Sequence, residues 1–308
     1  MADKSKIEWT DASWTPIRAR NKVTGKVGWH CEHATPGCEH CYSESMNKRL
    51  GTGLPFKPGH RKDIEVFLDE KLLADPLRWK RPWMIFVCSM TDLFADFVPD
   101  EWIDRVFAVM ALCPLHTFQV LTKRAERMRA FMKRMDAAHA EAVLRMEMTP
   151  AGAAGTSMID AFPQYVSSLA HPSQHCIWPL PNVWLGVSAE DQRRVDERIP
   201  VLLETPAATR FVSAEPLLGP IDLLEYLVWD ESMMHWIIVG GESGPSARPM
   251  HPDWARAIRD QCRAASVPFF FKQWGEYDGH NYPMRVGKRA AGRHLDGREH
   301  NEMPEARP

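Results

Sequence analysis

The sequence predicts an α/β barrel of the TIM type, closed or partly open, and three observations predict it. Short β-branched and aromatic runs alternate with amphipathic stretches, the pattern of strands and helices around a parallel sheet. Eight such units can be counted along the chain. The length of 308 residues suits one barrel, which needs roughly 250 residues.

Six runs are clear: Met84–Cys88, Thr117–Leu121, Asn182–Val187, Thr209–Val212, Trp236–Val239 and Pro268–Phe271. Each is nearly all apolar, as a parallel strand covered on both faces requires. Val27–Cys31 and Ile64–Leu68 are weaker and complete the eight. Helical spacing predicts helices over Glu101–Cys113, Arg193–Leu203 and Asp253–Ala265, with a long one over Glu126–Met148. Asp100 and Glu101 suit the first turn of theirs, where acidic groups oppose the helix dipole. An open doubly wound sheet is the alternative. It would carry a Gly-x-Gly-x-x-Gly turn after the first strand, and none is present.

A single domain over 1–308 is expected, with irregular N- and C-terminal extensions and a rim insertion. Residues 1–26 precede the first predicted strand and carry Trp9 and Trp14. Residues 149–181 are rich in Ala, Ser and Pro and form the insertion. Residues 278–308 are polar, with Asp296-Gly297 as a hairpin-type turn and a disordered end.

Composition narrows the function classes. A formal net charge of −2 excludes holding nucleic acid by bulk charge, though not by a local basic cleft. There is no apolar run of about 20 residues to span a bilayer. Met1–Asp11 has no apolar signal-peptide core, so a cytoplasmic protein is expected. Three of the seven cysteines fall within eleven residues. In a reducing compartment such a cluster points to a metal or to catalysis rather than to disulfides.

In α/β barrels the chemistry sits at the C-terminal ends of the strands. Here each clear strand runs into polar residues, and in a barrel these tips would converge on one mouth. The ligand-binding candidates are Ser89, Asp92, Lys123, Ser188, Glu190, Glu215, Gly240, Gly241, Glu242 and Lys272. The alternative is a solvated rim, since any strand must end in polar residues. Gly240 and Gly241 let a backbone approach a ligand closely or take positive φ, leaving Glu242 to accept from an amine. A tight turn with a solvated carboxylate fits the same letters. Lys123 and Lys272 suit a carboxylate or phosphate, or solvent.

The cysteine cluster reads Trp29-His30-Cys31-Glu32-His33-Ala34-Thr35-Pro36-Gly37-Cys38-Glu39-His40-Cys41-Tyr42, a C-x6-C-x2-C spacing. Pro36-Gly37 supplies a turn that folds Cys31 back towards the other two. Three outcomes are open. The thiolates hold a 4Fe–4S cluster with one open iron; or they hold zinc with His30, His33 or His40 as fourth ligand; or they carry no metal.

A three-cysteine loop after the first strand of an α/β barrel resembles the radical S-adenosylmethionine superfamily. More narrowly, the chain looks like a phage- and prophage-associated three-cysteine-motif family of unknown function. That match is carried by Gly37–Tyr42, Met90–Phe94, Phe211–Pro220, Val239–Gly244 and Phe271–Gly275. The superfamily spacing is C-x3-C-x2-C, and its aromatic residue precedes the third cysteine, whereas Tyr42 follows it here. Its Gly-Gly-Glu-like motif follows the second strand, whereas Gly240-Gly241-Glu242 follows the seventh, so that role is not carried over.

The resemblance implies reductive cleavage of S-adenosylmethionine to a 5′-deoxyadenosyl radical, with Cys31, Cys38 and Cys41 as cluster ligands. It implies a flavodoxin- or ferredoxin-like reductant, and the phage association suggests a nucleic acid or nucleotide substrate. The alternatives are a zinc-stabilised binding module, a non-redox barrel enzyme, or an accessory to a partner encoded nearby. Cys88, at a strand end, either donates a hydrogen atom or is a small buried hydrophobe. Cys113, Cys176 and Cys262 read as core or surface thiols. Trp9, Trp14 and Trp29 either stack on a base or pack in the core.

Overall fold

The computed structural model of the protein describes residues 5–135, 178–227 and 234–305. At its centre is a seven-stranded parallel sheet. In spatial order its strands are β1 (Ala12–Trp14), β5 (Met84–Val87), β6 (Thr117–Thr122), β7 (Val183–Ser188), β8 (Thr209–Ala214), β9 (Trp236–Gly240) and β10 (Phe269–Gln273). From β5 onward each strand pairs with the next one in the chain. Every crossover therefore steps one place in the same direction, and the sheet curls instead of reversing at a switch point. The curl stops at a half-barrel, with β1 and β10 as open edges.

The eight-unit TIM-type barrel is thereby corrected. All six clear runs are strands of this sheet, but the two weaker ones are not. Val27–Gly28 (β3) and Ile64–Leu68 (β4) flank Ile17–Asn21 (β2) in a separate antiparallel sheet. The physical reason lies in the side chains. The β4 strand is largely half-exposed and carries Glu65, which pairs with Arg20 on β2 at 2.9 Å. Such a strand suits a one-sided antiparallel sheet, not a parallel strand covered on both faces. The seventh strand, β1, is a three-residue Ala-Ser-Trp inside the stretch read as an irregular extension.

The helices among the described residues are α1 (Tyr42–Leu50), α2 (Glu70–Leu73), α3 (Asp100–Leu112), α4 (Ala125–Arg134), α5 (Gln192–Leu203), α6 (Leu224–Leu227), α7 (Pro252–Ala264) and α8 (Lys288–Ala291). The Asp191 carboxylate accepts from Arg194 N at 3.0 Å and caps α5. Pro252 opens α7, where its missing N–H costs nothing. The predicted helix to Met148 is present as α4 as far as Arg134. Its remainder lies outside the described residues, as do most of the 149–181 insertion, Cys176 and the last three residues. Leu295 and Arg298 bridge across Asp296-Gly297, both at positive φ, which forms the expected turn. Among the described residues no helix is long and apolar enough to cross a membrane.

The two sheet faces carry different cores. Val87, Val120, Val187, Val212 and Val239 pack with Val106 of α3, Ile199 of α5 and Ile258 of α7. The other face is aromatic: Phe86, Trp184, Phe211, Trp236 and Phe270 close around Trp9. Trp9 is 2% exposed and its ring lies 4.7 Å from that of Phe86. Fully burying a side chain of this class contributes roughly 1.5–3 kcal/mol. Gly186 makes room for this layer, since a Cβ there would lie 2.6 Å from the Phe211 ring. Trp14 joins the helix-side core and donates Nε1–H to Leu72 O at 2.8 Å. Trp29 lies under the Arg18 guanidinium, 4.8 Å from its ring centre.

Candidate metal and ligand site

A cavity of about 220 Å³ lies at the C-terminal ends of β5 to β10. Asp92, Lys123, Ser188, Glu215, Glu242 and Lys272 line it, one from each of the six strand ends. Trp9, Phe86 and Leu121 supply its apolar surface. The remaining side is the loop before α1, which contributes Cys31, Cys38, His40 and Cys41. The predicted convergence on one mouth is thus present on an open sheet.

What holds the cysteine loop there is a set of clasps built from the predicted ligand carboxylates. Asp92 is buried and accepts from Thr122 Oγ1 at 2.7 Å and Arg124 Nη1 at 2.9 Å. The same guanidinium donates to Glu32 O, inside the loop, at 3.0 Å. Glu190 is fully buried and accepts from Gly37 N at 3.2 Å, Arg198 at 3.2 Å and Lys123 at 3.4 Å. Gly37 favours that approach, because a Cβ would sit a tight 3.1 Å from the Glu190 carboxyl carbon. Glu242 takes three hydrogen bonds from Arg248, two of them side-chain at 2.9 and 2.6 Å. Arg248 in turn reaches Pro36 O at 3.0 Å and Glu39 at 3.3 Å. Thr91 adds a bond to His30 O at 2.5 Å, and Ser43 one to Ser89 O at 3.1 Å.

Three of the predicted ligand groups take part in these clasps. Glu190 lies behind the cavity wall and serves the loop. Asp92 and Glu242 line the cavity, but their oxygens are occupied by arginines. Burial alone would raise the Glu190 carboxyl; Lys123, the Thr35 hydroxyl and Arg198 outweigh it and hold it down at about 2.

Of the two roles expected for the glycines, positive φ is absent and close approach is present. A Cβ on Gly240 would lie 2.4 Å from Glu215 Oε1, and one on Gly241 would lie 2.0 Å from Trp274 O. Glu215 and Trp274 are the protein groups that approach them, and Gly241 also lines the cavity. The pair left facing the cavity is Glu215 and Lys272, with Nζ 3.0 Å from Oε1. Ser213 Oγ donates to the other oxygen at 3.1 Å. Burial works against the Lys272 ammonium, yet Glu215 and Tyr42 overcome it and raise its pKa.

All three cysteines carry free thiols, partly exposed to the cavity. Burial pushes the Cys31 and Cys41 thiols up, and each thiol feels its neighbours in the triad. Cys31 Sγ has one weak contact, to Glu32 O at 3.8 Å. Among the described residues no group of three or more His, Cys, Asp or Glu side chains stands arranged to hold a metal ion. Of the proposed zinc histidines only His40 lines the cavity. His33 contacts Glu44 at 2.8 Å, and buried His30 contacts Glu32 at 3.4 Å.

Cys88 also lines the cavity, with φ at 57°, a conformation sparsely populated by residues bearing a side chain. Burial raises its thiol pKa. Cys113 and Cys262 are core thiols.

A family model described as a protein of unknown function, DUF5131, matches residues 4–304. The chain belongs to the DUF5131 family. No curated protein and no solved structure matches it. The match spans both sheets, the cysteine loop and every clasp, so cavity and clamps lie within the DUF5131 unit.

Sequence reasoning missed Arg198 and Arg248, which complete two of the clasps. Arg198 is on the buried side of α5 and Arg248 in the loop after β9. Each lies within eight residues of its carboxylate, but the link from that carboxylate or arginine to the cysteine loop spans more than 150 residues and leaves no local signal.

Proposed function

We propose that the protein is an iron–sulfur enzyme of the radical S-adenosylmethionine type. Cys31, Cys38 and Cys41 would hold a 4Fe–4S cluster, and the strand-mouth cavity would take S-adenosylmethionine. The observation that carries the proposal is that three free thiols of one loop line one cavity at the ends of six parallel strands. The donor set fits: three soft thiolates suit an iron–sulfur cluster and leave one iron open. When bound, such a cluster supplies the electron that cleaves the sulfonium of S-adenosylmethionine.

The chain's own residues do the rest. Lys272 and Glu215 present a donor and an acceptor side by side, suited to the carboxylate and ammonium of an amino acid end. Ser89 and Ser188 add hydroxyls on the same wall. Trp9, Phe86 and Leu121 exclude water from the apolar side, which strengthens polar contacts within. The three clasps limit how far the cysteine loop can move. The substrate is a nucleic acid or nucleotide, the reductant a flavodoxin- or ferredoxin-like protein. The cytoplasm is the compartment, since its reducing poise keeps these thiols free.

The test is product formation. Anaerobically prepared protein, given S-adenosylmethionine and dithionite, should yield 5′-deoxyadenosine, and Cys38→Ala should not. Iron-loaded protein that yields none would overturn the proposal.

A further inference from the structure

Residues 17–68 hold nine Lys and Arg against five Asp and Glu, a local charge of +4 in a chain of net −2. This stretch is the small antiparallel sheet, the cysteine loop and α1. All five of its carboxylates are engaged. Glu65 meets Arg20 at 2.9 Å, Glu44 meets Lys48 at 2.5 Å, and Asp63 meets His60 at 3.1 Å. Glu32 meets His30 at 3.4 Å, and Glu39 meets Arg248 at 3.3 Å.

Five exposed cations are left with no carboxylate partner among the described residues: Lys22, Lys26, Arg49, Lys57 and Lys62. They belong to one lobe. Lys22 Nζ donates to Lys62 O at 2.9 Å. Asn21 Nδ2 donates to Thr52 O at 2.9 Å and ties the β2–β3 hairpin to the end of α1. Gly28 packs so closely on Gly51 that a Cβ would lie 2.5 Å from its Cα.

The lobe also reaches the cavity. Tyr42, at the start of α1, lines it, hydrogen-bonds Ser89 O at 3.2 Å and stays 44% exposed. Met46 and Leu50 continue exposed along the same helix face, one turn apart.

Four separate lysine charges and one arginine, none with a carboxylate, match a chain of phosphates rather than one bidentate anion. An exposed aromatic beside a cavity suits a base stacked at its entrance. A base enters a cavity at a sheet mouth most cheaply from an unpaired strand, which pays no unpairing energy. We propose that the lobe of residues 17–68 docks single-stranded nucleic acid, with phosphates on the five cations that lack a carboxylate partner and one base on Tyr42. The inference deepens the function proposed above and rests on it only for what happens to that base.

The test is fluorescence anisotropy with labelled 20-nucleotide DNA and RNA strands across a salt series, using the full chain. Five phosphate contacts predict a log–log salt slope of about −3.5. Lys22→Gln/Lys26→Gln/Lys62→Gln should flatten it by about 2 and weaken binding roughly 100-fold at ~0.1 M salt. Tyr42→Leu should weaken binding roughly tenfold with the slope unchanged. Lys71→Gln/Arg263→Gln/Arg298→Gln, outside the lobe, should change little, and unaltered circular dichroism would show that the variants fold. A salt slope unmoved by the lobe substitutions would overturn the inference, as would tighter binding to phosphatidylserine vesicles than to either strand. Cys31→Ala/Cys38→Ala/Cys41→Ala should lose iron yet bind the strands as before. Iron-loaded wild type that ignores both strands removes this surface and leaves the cluster standing.

Discussion

Glu190→Gln removes one charge from the most deeply buried clasp while keeping its size. The side chain is fully buried, and Lys123, Arg198 and Gly37 N all point at it. With the carboxyl held at about 2 against an ordinary 4.5, the linked stabilisation at neutral pH is about 3 kcal/mol. The sign follows from a depressed folded-state pKa. The stabilisation is fully present above the unfolded pKa and fades as pH falls from about 4.5 towards about 2. Leaving Arg198 and Lys123 uncompensated costs 3–5 kcal/mol by the usual range for a broken buried pair, roughly the same size. Urea unfolding of wild type and variant at pH 7 and pH 3.5 reads both quantities. The gap should be about 3 kcal/mol at pH 7 and about 2 kcal/mol at pH 3.5. A gap under about 1 kcal/mol that does not change with pH would refute the reasoning, because a surface-like pair behaves that way.

Gly240→Ala should force the Glu215 carboxylate off its seat, since the new Cβ would lie 2.4 Å from Oε1. Overpacking of this kind costs roughly 1–3 kcal/mol, readable by urea unfolding; an unchanged midpoint would count against the packing. With Glu215 displaced, burial should pull the Lys272 pKa down, and lysine-specific reductive methylation at mildly alkaline pH should label it faster. Arg248→Gln/Glu242→Gln, in a double-mutant cycle, should show a coupling of about 1–2 kcal/mol. Arg248→Gln alone should speed amide exchange over residues 36–41, whereas an inert loop would deny that Arg248 restrains it.

Six of the seven main strands were legible because a strand covered on both faces must be written as an unbroken apolar run. Trp236–Gly240 and Val183–Ser188 are buried at every position. The edge strand Ala12–Trp14 is three residues long and leaves no such run. Ile64–Leu68 was readable as a strand but not as a member of the second sheet, for its partner strand lies some 45 residues away, as the Arg20–Glu65 pair across the ladder shows. The cavity's composition was visible at the strand tips. The clasps were not. Gly37 and Glu190 lie 153 residues apart, and no local pattern says that one carboxylate meets a backbone N–H while another meets a ligand. The two glycines in Gly240-Gly241 were recognised as sites of close approach, yet only packing reveals that Glu215 and Trp274 are what approach them.

The most direct measurement is iron and acid-labile sulfide per chain after anaerobic reconstitution, on wild type and on Cys31→Ala/Cys38→Ala/Cys41→Ala. Wild type should be brown and hold near four of each, on the pattern of a single 4Fe–4S centre, and the variant should be colourless. A wild type that retains one zinc and no sulfide, or a variant that keeps its iron, would contradict the assignment of the three thiols.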